Sequence, residues 1–157
     1  MSSPKQQNVP RKLGPRARTP ETVRLEEPLA QAIRPKGVSV LLDKYTDRNS
    51  GNVVIERLIV DTGFTKKNLA GTLGVSIDTL YRPHRVNSRA TQVRIREMLE
   101  ILGRITQWAG GETQAMAWYR GQPIPAFGGR TAESLVKNNQ AGPLREYLDH
   151  MTVGGFT

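Results

Sequence analysis

The apolar residues that follow Val53 recur at intervals of three and four, in short segments that glycine or proline ends. This spacing places them on one face of a helix, whereas no two segments show the alternation typical of paired strands. The sequence predicts helices over residues 52–62, 66–72, 77–82, 88–108, 112–120, 131–137 and 143–151. Residues 38–42 are compatible with a short strand or a helix. The pattern therefore predicts an all-α fold.

Capping residues predict where several of these helices begin and end. Asn52, Thr65 and Ser76 each precede a helical segment, and their side-chain oxygens can accept a hydrogen bond from a first-turn amide. Gly63 and Gly74 follow such segments and can adopt the left-handed conformation that ends a helix. We expect sharp helix ends at these five positions.

Charge divides the chain into a basic front and a neutral back. Residues 110–157 contain four Lys/Arg and four Asp/Glu, so the net charge of +9 comes entirely from residues 1–109. A basic surface suits a polyanion such as nucleic acid, and a neutral segment that bears aromatic residues suits a protein partner. This division favours an adaptor with two unlike partners over an enzyme with one substrate.

Composition also excludes several classes of site. The chain has no cysteine, which excludes disulfides and thiolate chemistry. No apolar run reaches the ~20 residues of a membrane span, and the N-terminus lacks the apolar core of a signal peptide. His84 and His150 have no companions at ligand spacing. We expect a cytoplasmic protein that is not an enzyme, with no catalytic residue, no cofactor, no metal site and no membrane association.

Residues 1–36 are predicted to be a disordered basic arm, because they hold six of the ten prolines and no aromatic residue. Two interpretations stay open. The arm could wrap DNA or RNA through its cations, or it could be a solvated tail. The cations are Lys5, Arg11, Lys12, Arg16 and Arg18.

Residues 66–82 have the spacing of a helix-turn-helix. Ala70 is small enough to let two helices cross closely, and Gly74, four residues later, can form the turn. The residues expected to fill the joint are Leu69, Leu73, Val75 and Leu80. In such modules the second helix lies in the major groove of DNA. The candidate DNA-binding residues are Lys66, Lys67, Ser76, Ile77, Thr79, Tyr81, Arg82 and Arg85.

These candidates have different expected roles. Arg82 and Arg85 can reach a guanine edge or phosphates, while the two lysines are expected on the DNA backbone. Two features depart from the usual pattern: Asp78 brings a negative charge near phosphates, and Pro83 stands where such modules have an apolar core residue. The alternative is a three-helix scaffold that keeps this shape without binding DNA.

A second motif occupies the C-terminal third. Ala117-Trp118-Tyr119 is followed by Pro123-Ile124-Pro125-Ala126-Phe127-Gly128-Gly129-Arg130-Thr131, and then by Gly142-Pro143-Leu144-Arg145-Glu146-Tyr147-Leu148. This order closely resembles the toxin-binding domain of the Xre/MbcA/ParS antitoxin family. In that family a Trp-containing helix leads to a Pro and Leu/Phe-Gly-Gly-x-Thr-Pro turn, and a helix-turn-helix precedes it. The resemblance covers roughly residues 52–157, with Ala132 in place of the usual proline.

The resemblance implies an antitoxin of a type II toxin–antitoxin pair. Its partner would be a RES-domain toxin that degrades NAD+ or transfers ADP-ribose. The antitoxin would also bind its own operator DNA. By position, the residues that match the domain framework are Trp118, Phe127, Gly128, Gly129, Thr131 and Leu135. The candidate toxin-binding residues are Trp118, Tyr119, Phe127, Arg130, Val153, Gly154, Gly155, Phe156 and Thr157.

This resemblance implies three regions. They are the basic arm over 1–36, an Xre-like helix-turn-helix domain with a long connecting helix over 37–109, and a toxin-binding domain over 110–157. The end of the last region would cover the NAD+ pocket of the toxin. A carboxylate on a Gly-Gly hinge can pair with an arginine in a pocket that binds pyrophosphate.

The family reading also implies a homodimer. The long helix is expected to expose an apolar face wide enough for a dimer seam as well as for a core. This face is formed by Val93, Ile101, Leu102 and Ile105. A two-fold dimer can present two recognition helices about one DNA turn apart. The other functions considered are a helix-turn-helix repressor without a toxin partner and a basic RNA-binding or ribosome-associated protein.

Overall fold

Helices account for most of the chain that the structure describes. The computed structural model describes residues 36–154, so the predicted arm, apart from Lys36, lies outside the described residues. The helices are α1 Lys36–Tyr45, α2 Ile55–Thr62, α3 Lys66–Leu73, α4 Ile77–Tyr81, α5 Pro83–Val86, α6 Arg89–Ala109, α7 Glu112–Gly121, α8 Ala132–Lys137 and α9 Ala141–Val153. Within these residues, extended pairing is limited to two isolated bridges, Thr46–Val53 and Ile124–Arg130. The all-α prediction is confirmed.

Most helix ends follow the capping residues. Thr65 Oγ1 accepts a hydrogen bond from the Asn68 amide at 3.1 Å, and both Gly63 and Gly74 have φ of 70°. The prediction for Asn52 is wrong, because α2 begins at Ile55 with Val54 at the N-cap. Asn52 is instead part of a loop closure, in which its carbonyl accepts a hydrogen bond from the Asp47 amide at 2.8 Å.

Two other boundaries differ from the sequence prediction. Residues 38–42 lie inside helix α1 and are not a strand. Helix α9 begins at Ala141, two residues before Pro143, and continues through Val153, two residues beyond the predicted end at Met151. Proline is tolerated there because the first amides of a helix have no partner within the helix.

Helix α6 lies at the centre of the packing. Ile95, Met98, Ile101 and Ile105 are fully buried along it, and α1, α7, α8 and α9 all pack against it. The buried apolar residues form one continuous cluster that runs from Leu41 to Leu148. Residues 37–109 and 110–154 therefore share one hydrophobic core.

The predicted dimer seam on this helix is not available at the surface. Ile101 and Ile105 are fully buried and Leu102 is 5% exposed, whereas Val93 is 45% exposed. Because the α6 residues turned toward the core are covered by neighbouring helices, the four residues do not form one exposed face. The sequence left two uses open for this stripe, a core and a dimer seam, and the structure shows the core for Ile101, Leu102 and Ile105.

Gln92 links three parts of the fold through its buried side chain. Its Oε1 accepts a hydrogen bond from the Val53 amide at 2.8 Å, and its Nε2 donates to the Val53 carbonyl at 3.2 Å and the Val86 carbonyl at 3.1 Å. The loop before α2 and the end of α5 are thereby attached to α6. No local sequence pattern distinguishes Gln92 from the exposed polar residues of the same helix.

Candidate functional site

The pair of helices α3 and α4 is built around a tight turn. Gly74 is in the left-handed conformation, and the next amide, that of Val75, donates to the Ala70 carbonyl at 3.1 Å. Ala70 is buried, as expected for a small residue where two helices approach each other. The side chains of Leu69, Leu73 and Leu80 are buried, and Val75 is partly buried, so all four fill the joint as predicted.

The start of α4 is held differently from the prediction. Ser76 occupies the N-cap position with an extended backbone, but its side chain makes no hydrogen bond to a first-turn amide. Its hydroxyl instead lies 2.9 Å from the hydroxyl of Thr79. Both hydroxyls are thus engaged with each other, and Thr79 is half-buried.

The outer side of this helix pair carries exposed side chains and free positive charge. Ile77 and Tyr81 are exposed, Tyr81 at 62%, as are Lys67, Arg82 and Arg85. The half-buried Lys66 places its Nζ 4.5 Å from the centroid of the Tyr81 ring, a cation–π contact. Within residues 36–154, none of these four cations forms an ion pair with a carboxylate. We refer to Lys66, Lys67, Ile77, Tyr81, Arg82 and Arg85 as the basic face.

The region after α4 departs from the prediction. Helix α4 ends at Tyr81, and Arg82 has an extended backbone with φ of −112° and ψ of 110°. Pro83 then begins the short helix α5, in which Val86 is buried. Val86 therefore provides a buried apolar side chain beyond the proline, and Arg82 lies between two helices rather than inside one. Asp78 is exposed, so one negative charge remains beside the basic face.

The C-terminal candidates are divided between surface and core. Trp118 is half-buried and packs edge-on against Trp108, with ring centroids 5.2 Å apart, and Phe127 packs edge-on against Tyr147 at 5.6 Å. Arg130 is exposed, and its Nε donates to the Phe127 carbonyl at 3.3 Å. We refer to Trp118, Phe127, Arg130 and Tyr147 as the aromatic face.

Tyr119 does not belong to that face. Its side chain is fully buried, so it is a core residue and cannot contact a partner directly. Trp118 and Tyr119 are neighbours in a helix, and neighbouring helical residues point about 100° apart, so only one of them faces outward. The toxin-binding prediction for Tyr119 is therefore wrong.

The turn between α7 and α8 contains two glycines in the left-handed conformation. Gly128 and Gly129 have φ of 67° and 80°, and Thr131 Oγ1 accepts a hydrogen bond from the Ser134 amide at 3.1 Å. At the other end of this region, Val153 is 88% exposed and Gly154 follows the last helix. Gly155, Phe156 and Thr157, the rest of the predicted tail, lie outside the described residues.

A charged cluster that sequence analysis missed lies where α1, α2 and α7 approach. Lys44 Nζ is 2.9 Å from Asp61 and 3.3 Å from Glu112. The hydrogen bond to Asp61 is the main cause of the raised pKa of Lys44, and the same bond lowers the pKa of Asp61. These exposed charges are separated in sequence by 17 and 51 positions, a spacing that carries no local signal. The cluster joins the first helix to the C-terminal third.

The buried hydroxyl of Tyr119 leads to a prediction about alkaline pH. Burial raises the pKa of this phenol above its ordinary value of 10, and the nearby Glu133 carboxylate adds to the effect. The unfolded chain therefore ionises at this position before the folded chain does. The contribution of the protonated Tyr119 hydroxyl to the free energy of unfolding is fully present below about pH 10 and is lost as the pH rises further.

We expect Tyr119→Phe to lose less stability than the wild type above about pH 10. At neutral pH the variant should be at least as stable, because the buried hydroxyl has no hydrogen-bond partner in the described part of the chain. The measurement is the free energy of unfolding in urea across this pH range. Tyr81→Phe, which removes an exposed hydroxyl, is the control. If the wild type and Tyr119→Phe lose equal free energy of unfolding above about pH 10, ionisation of Tyr119 does not cause the alkaline loss of stability.

Two further features bear on function. Among the described residues, no group of three or more His, Asp and Glu side chains is arranged to hold a metal ion, and His84 and His150 are both exposed. Between residues 36 and 154, no helix combines the length and apolar character needed to cross a membrane.

Comparison with known proteins identifies no relative. No protein-family model, no curated protein and no solved structure matches the chain significantly. The functional assignment therefore depends on the geometry of the basic face and the aromatic face, together with the sequence motifs.

Proposed function

We propose that this chain is the antitoxin of a type II toxin–antitoxin pair. In this proposal the basic face binds operator DNA, and the C-terminal residues bind a RES-domain toxin that consumes NAD+ or transfers ADP-ribose. The observation that carries the proposal is that a helix pair whose exposed basic face forms no ion pair within residues 36–154 shares one core with the Trp118–Leu148 motif. A homodimer is part of the proposal, with a seam other than the buried stripe of α6.

The helix pair supports the DNA-binding half. A helix-turn-helix needs a close helix crossing, a left-handed turn residue and a second helix whose outer side is free. Ala70, Gly74 and the exposed side of α4 meet these three conditions. Lys67, Arg82 and Arg85 carry exposed charges that can neutralise phosphates. The Tyr81 ring has Lys66 over one face but is 62% exposed, so it can still contact a base or sugar.

The aromatic face supports the toxin-binding half. Half-buried aromatic side chains beside an exposed arginine are typical of the residues that dominate binding energy at protein interfaces. Phe127 and Arg130 are joined by a hydrogen bond within the same turn, so they form one contact point. Helix α9 ends at the exposed Val153, and the tail that follows would enter the NAD+ pocket and block it without any chemical step.

The test is expression of the chain together with its neighbouring gene and with a RES-domain toxin. We expect the two proteins to co-purify, and we expect growth and cellular NAD+ to recover when the full chain is present. Deletion of residues 153–157 should leave the complex intact but weaken inhibition of the toxin. Full neutralisation by the truncated chain would exclude the pocket-blocking role of the tail, and failure of the full chain to bind any co-encoded polypeptide would exclude the antitoxin.

A helix-turn-helix repressor without a toxin partner is the second candidate. The basic face favours it, because the exposed cations on α3, between α4 and α5, and on α5 need only DNA as a partner. The two functions are separated by co-purification, since a simple repressor would bind operator DNA and purify without a second polypeptide.

A further inference from the structure

Three charged residues of the C-terminal third form a network beside the helix pair. Glu133 on α8 accepts a hydrogen bond from Lys137 Nζ at 2.7 Å through Oε1, and its Oε2 lies 3.4 Å from Arg120 Nε on α7. The Glu133 side chain is only 16% exposed, so it is less screened by solvent than an ordinary surface carboxylate. Glu133 therefore holds two cations in defined positions.

Each of these cations contacts one end of α3. The Arg120 guanidinium lies 5.3 Å from the centroid of the Phe64 ring. Phe64 is the residue directly before Thr65, the N-cap of α3. At the other end, the aliphatic stem of Lys137 lies against Gly74. A methyl group on Gly74 would be 2.8 Å from Lys137 Cγ, which is closer than carbon atoms pack. The first helix of the pair thus lies between two contacts that one carboxylate organises.

The network is itself anchored to the central helix. Arg94 on α6 donates from Nη1 to the Val136 carbonyl and from Nη2 to Asn139 Oδ1, the latter at 2.7 Å. These bonds hold the C-terminal end of α8, next to Lys137. Because α8 is bonded to α6 in this way, the contact of Lys137 with Gly74 fixes the helix pair relative to the central helix as well as to α8.

We propose that Arg120, Glu133 and Lys137 are positioning residues for DNA recognition: they set the orientation of α3, and with it the orientation of α4 in the major groove. The proposal rests on the DNA-binding half of the proposed function. None of the three is among the residues of the basic face, so their effect on DNA passes through Phe64 and Gly74. Base contacts depend on this orientation more than phosphate contacts do, because side chains must meet particular base edges.

Glu133→Gln tests the proposal, because it removes the charge that pairs both cations and keeps the size of the side chain. We expect binding to a duplex from the DNA upstream of the chain's own gene to weaken on the order of tenfold, as coupled residues without ligand contact do. Binding to a scrambled duplex should stay unchanged or become stronger, because the variant is more positively charged. General destabilisation would not weaken binding to one duplex and spare binding to the other in protein that is fully folded.

The matched control is Glu146→Gln, which makes the same charge change. Glu146 is exposed on α9 and forms no ion pair within the described residues. It should not alter the preference between the two duplexes. Both fluorescence-anisotropy titrations are made at a temperature at which thermal unfolding shows every variant to be folded.

A glycine pair provides a second test that does not change charge. Gly74→Ala forces Lys137 to move, whereas Gly63→Ala has the same φ of 70° but open space around the new methyl group. Both positions have φ of 70°, with ψ of 33° at Gly74 and 12° at Gly63, so both variants carry left-handed strain, but only Gly74→Ala adds the clash with Lys137. We therefore expect the greater loss of duplex preference in Gly74→Ala. Lys137→Met, which keeps the stem and removes the ion pair, replaces Glu133→Gln if that variant does not fold.

The outcomes separate the two proposals. If the wild type does not distinguish the upstream duplex from the scrambled one, operator binding fails and the positioning role fails with it. If the wild type distinguishes them, but Glu133→Gln keeps the same preference and the two glycine variants behave alike, the positioning role is overturned and operator binding stands.

Discussion

Replacing Arg82 and Arg85 together by alanine is expected to weaken binding to the upstream duplex by on the order of a hundredfold, since each such contact contributes about 1–3 kcal/mol. Both side chains are exposed just after the second helix of the pair, Arg82 between α4 and α5 and Arg85 within α5. Neither forms an ion pair within residues 36–154. Their removal therefore affects the DNA complex more than the fold.

The salt dependence of binding identifies the mechanism. The slope of log K against log salt concentration should fall by roughly two if both arginines contact phosphates, whereas a guanine contact would also lower the preference for the upstream sequence. Arg145→Ala is the matched control, because Arg145 lies on α9 and pairs with Glu100 at 2.8 Å. Unchanged affinity and slope in the double variant would exclude the basic face as the DNA-binding surface.

Gln92→Leu is expected to lower the free energy of unfolding by about 3 kcal/mol, because it leaves three buried backbone groups without partners. The groups are the amide and carbonyl of Val53 and the carbonyl of Val86. Leucine has a similar size, so the loss comes from the missing hydrogen bonds and not from a cavity. The loop before α2 and the end of α5 should both loosen.

Urea denaturation measures this effect, and amide hydrogen exchange at Val53 locates it. Gln107→Leu is the control, because Gln107 lies on the same helix and is exposed. It should change the free energy of unfolding by less than about 0.5 kcal/mol, as surface substitutions usually do. If the two variants lose equal stability, the three hydrogen bonds do not stabilise the fold.

Local features of the structure were largely predictable from the sequence. The Thr65 cap and the left-handed glycines at 63 and 74 each depend on a few neighbouring residues. The joint of the helix pair was predictable for the same reason, since its apolar side chains lie on facing sides of two short helices. The candidate residues of the basic face are all exposed, except Lys66, which is half-buried.

Predictions that depended on which face a helix presents were less successful. Tyr119 and Trp118 are adjacent aromatic residues, and only packing against α6 and α8 places the first inside and the second near the surface. The apolar stripe of α6 could equally have formed a dimer seam. Neighbouring helices from both ends of the chain cover it, and periodicity cannot distinguish these two uses.

The amino-acid order alone specified an all-α chain, the positions of its turns and the separation of positive charge from the aromatic C-terminal segment, because periodicity, capping and charge act over a few residues. The buried role of Gln92, the Lys44–Asp61–Glu112 cluster and the contact of Lys137 with Gly74 became apparent only in the folded chain. Each of these joins residues that are far apart in sequence, so their proximity depends on how the helices pack around α6.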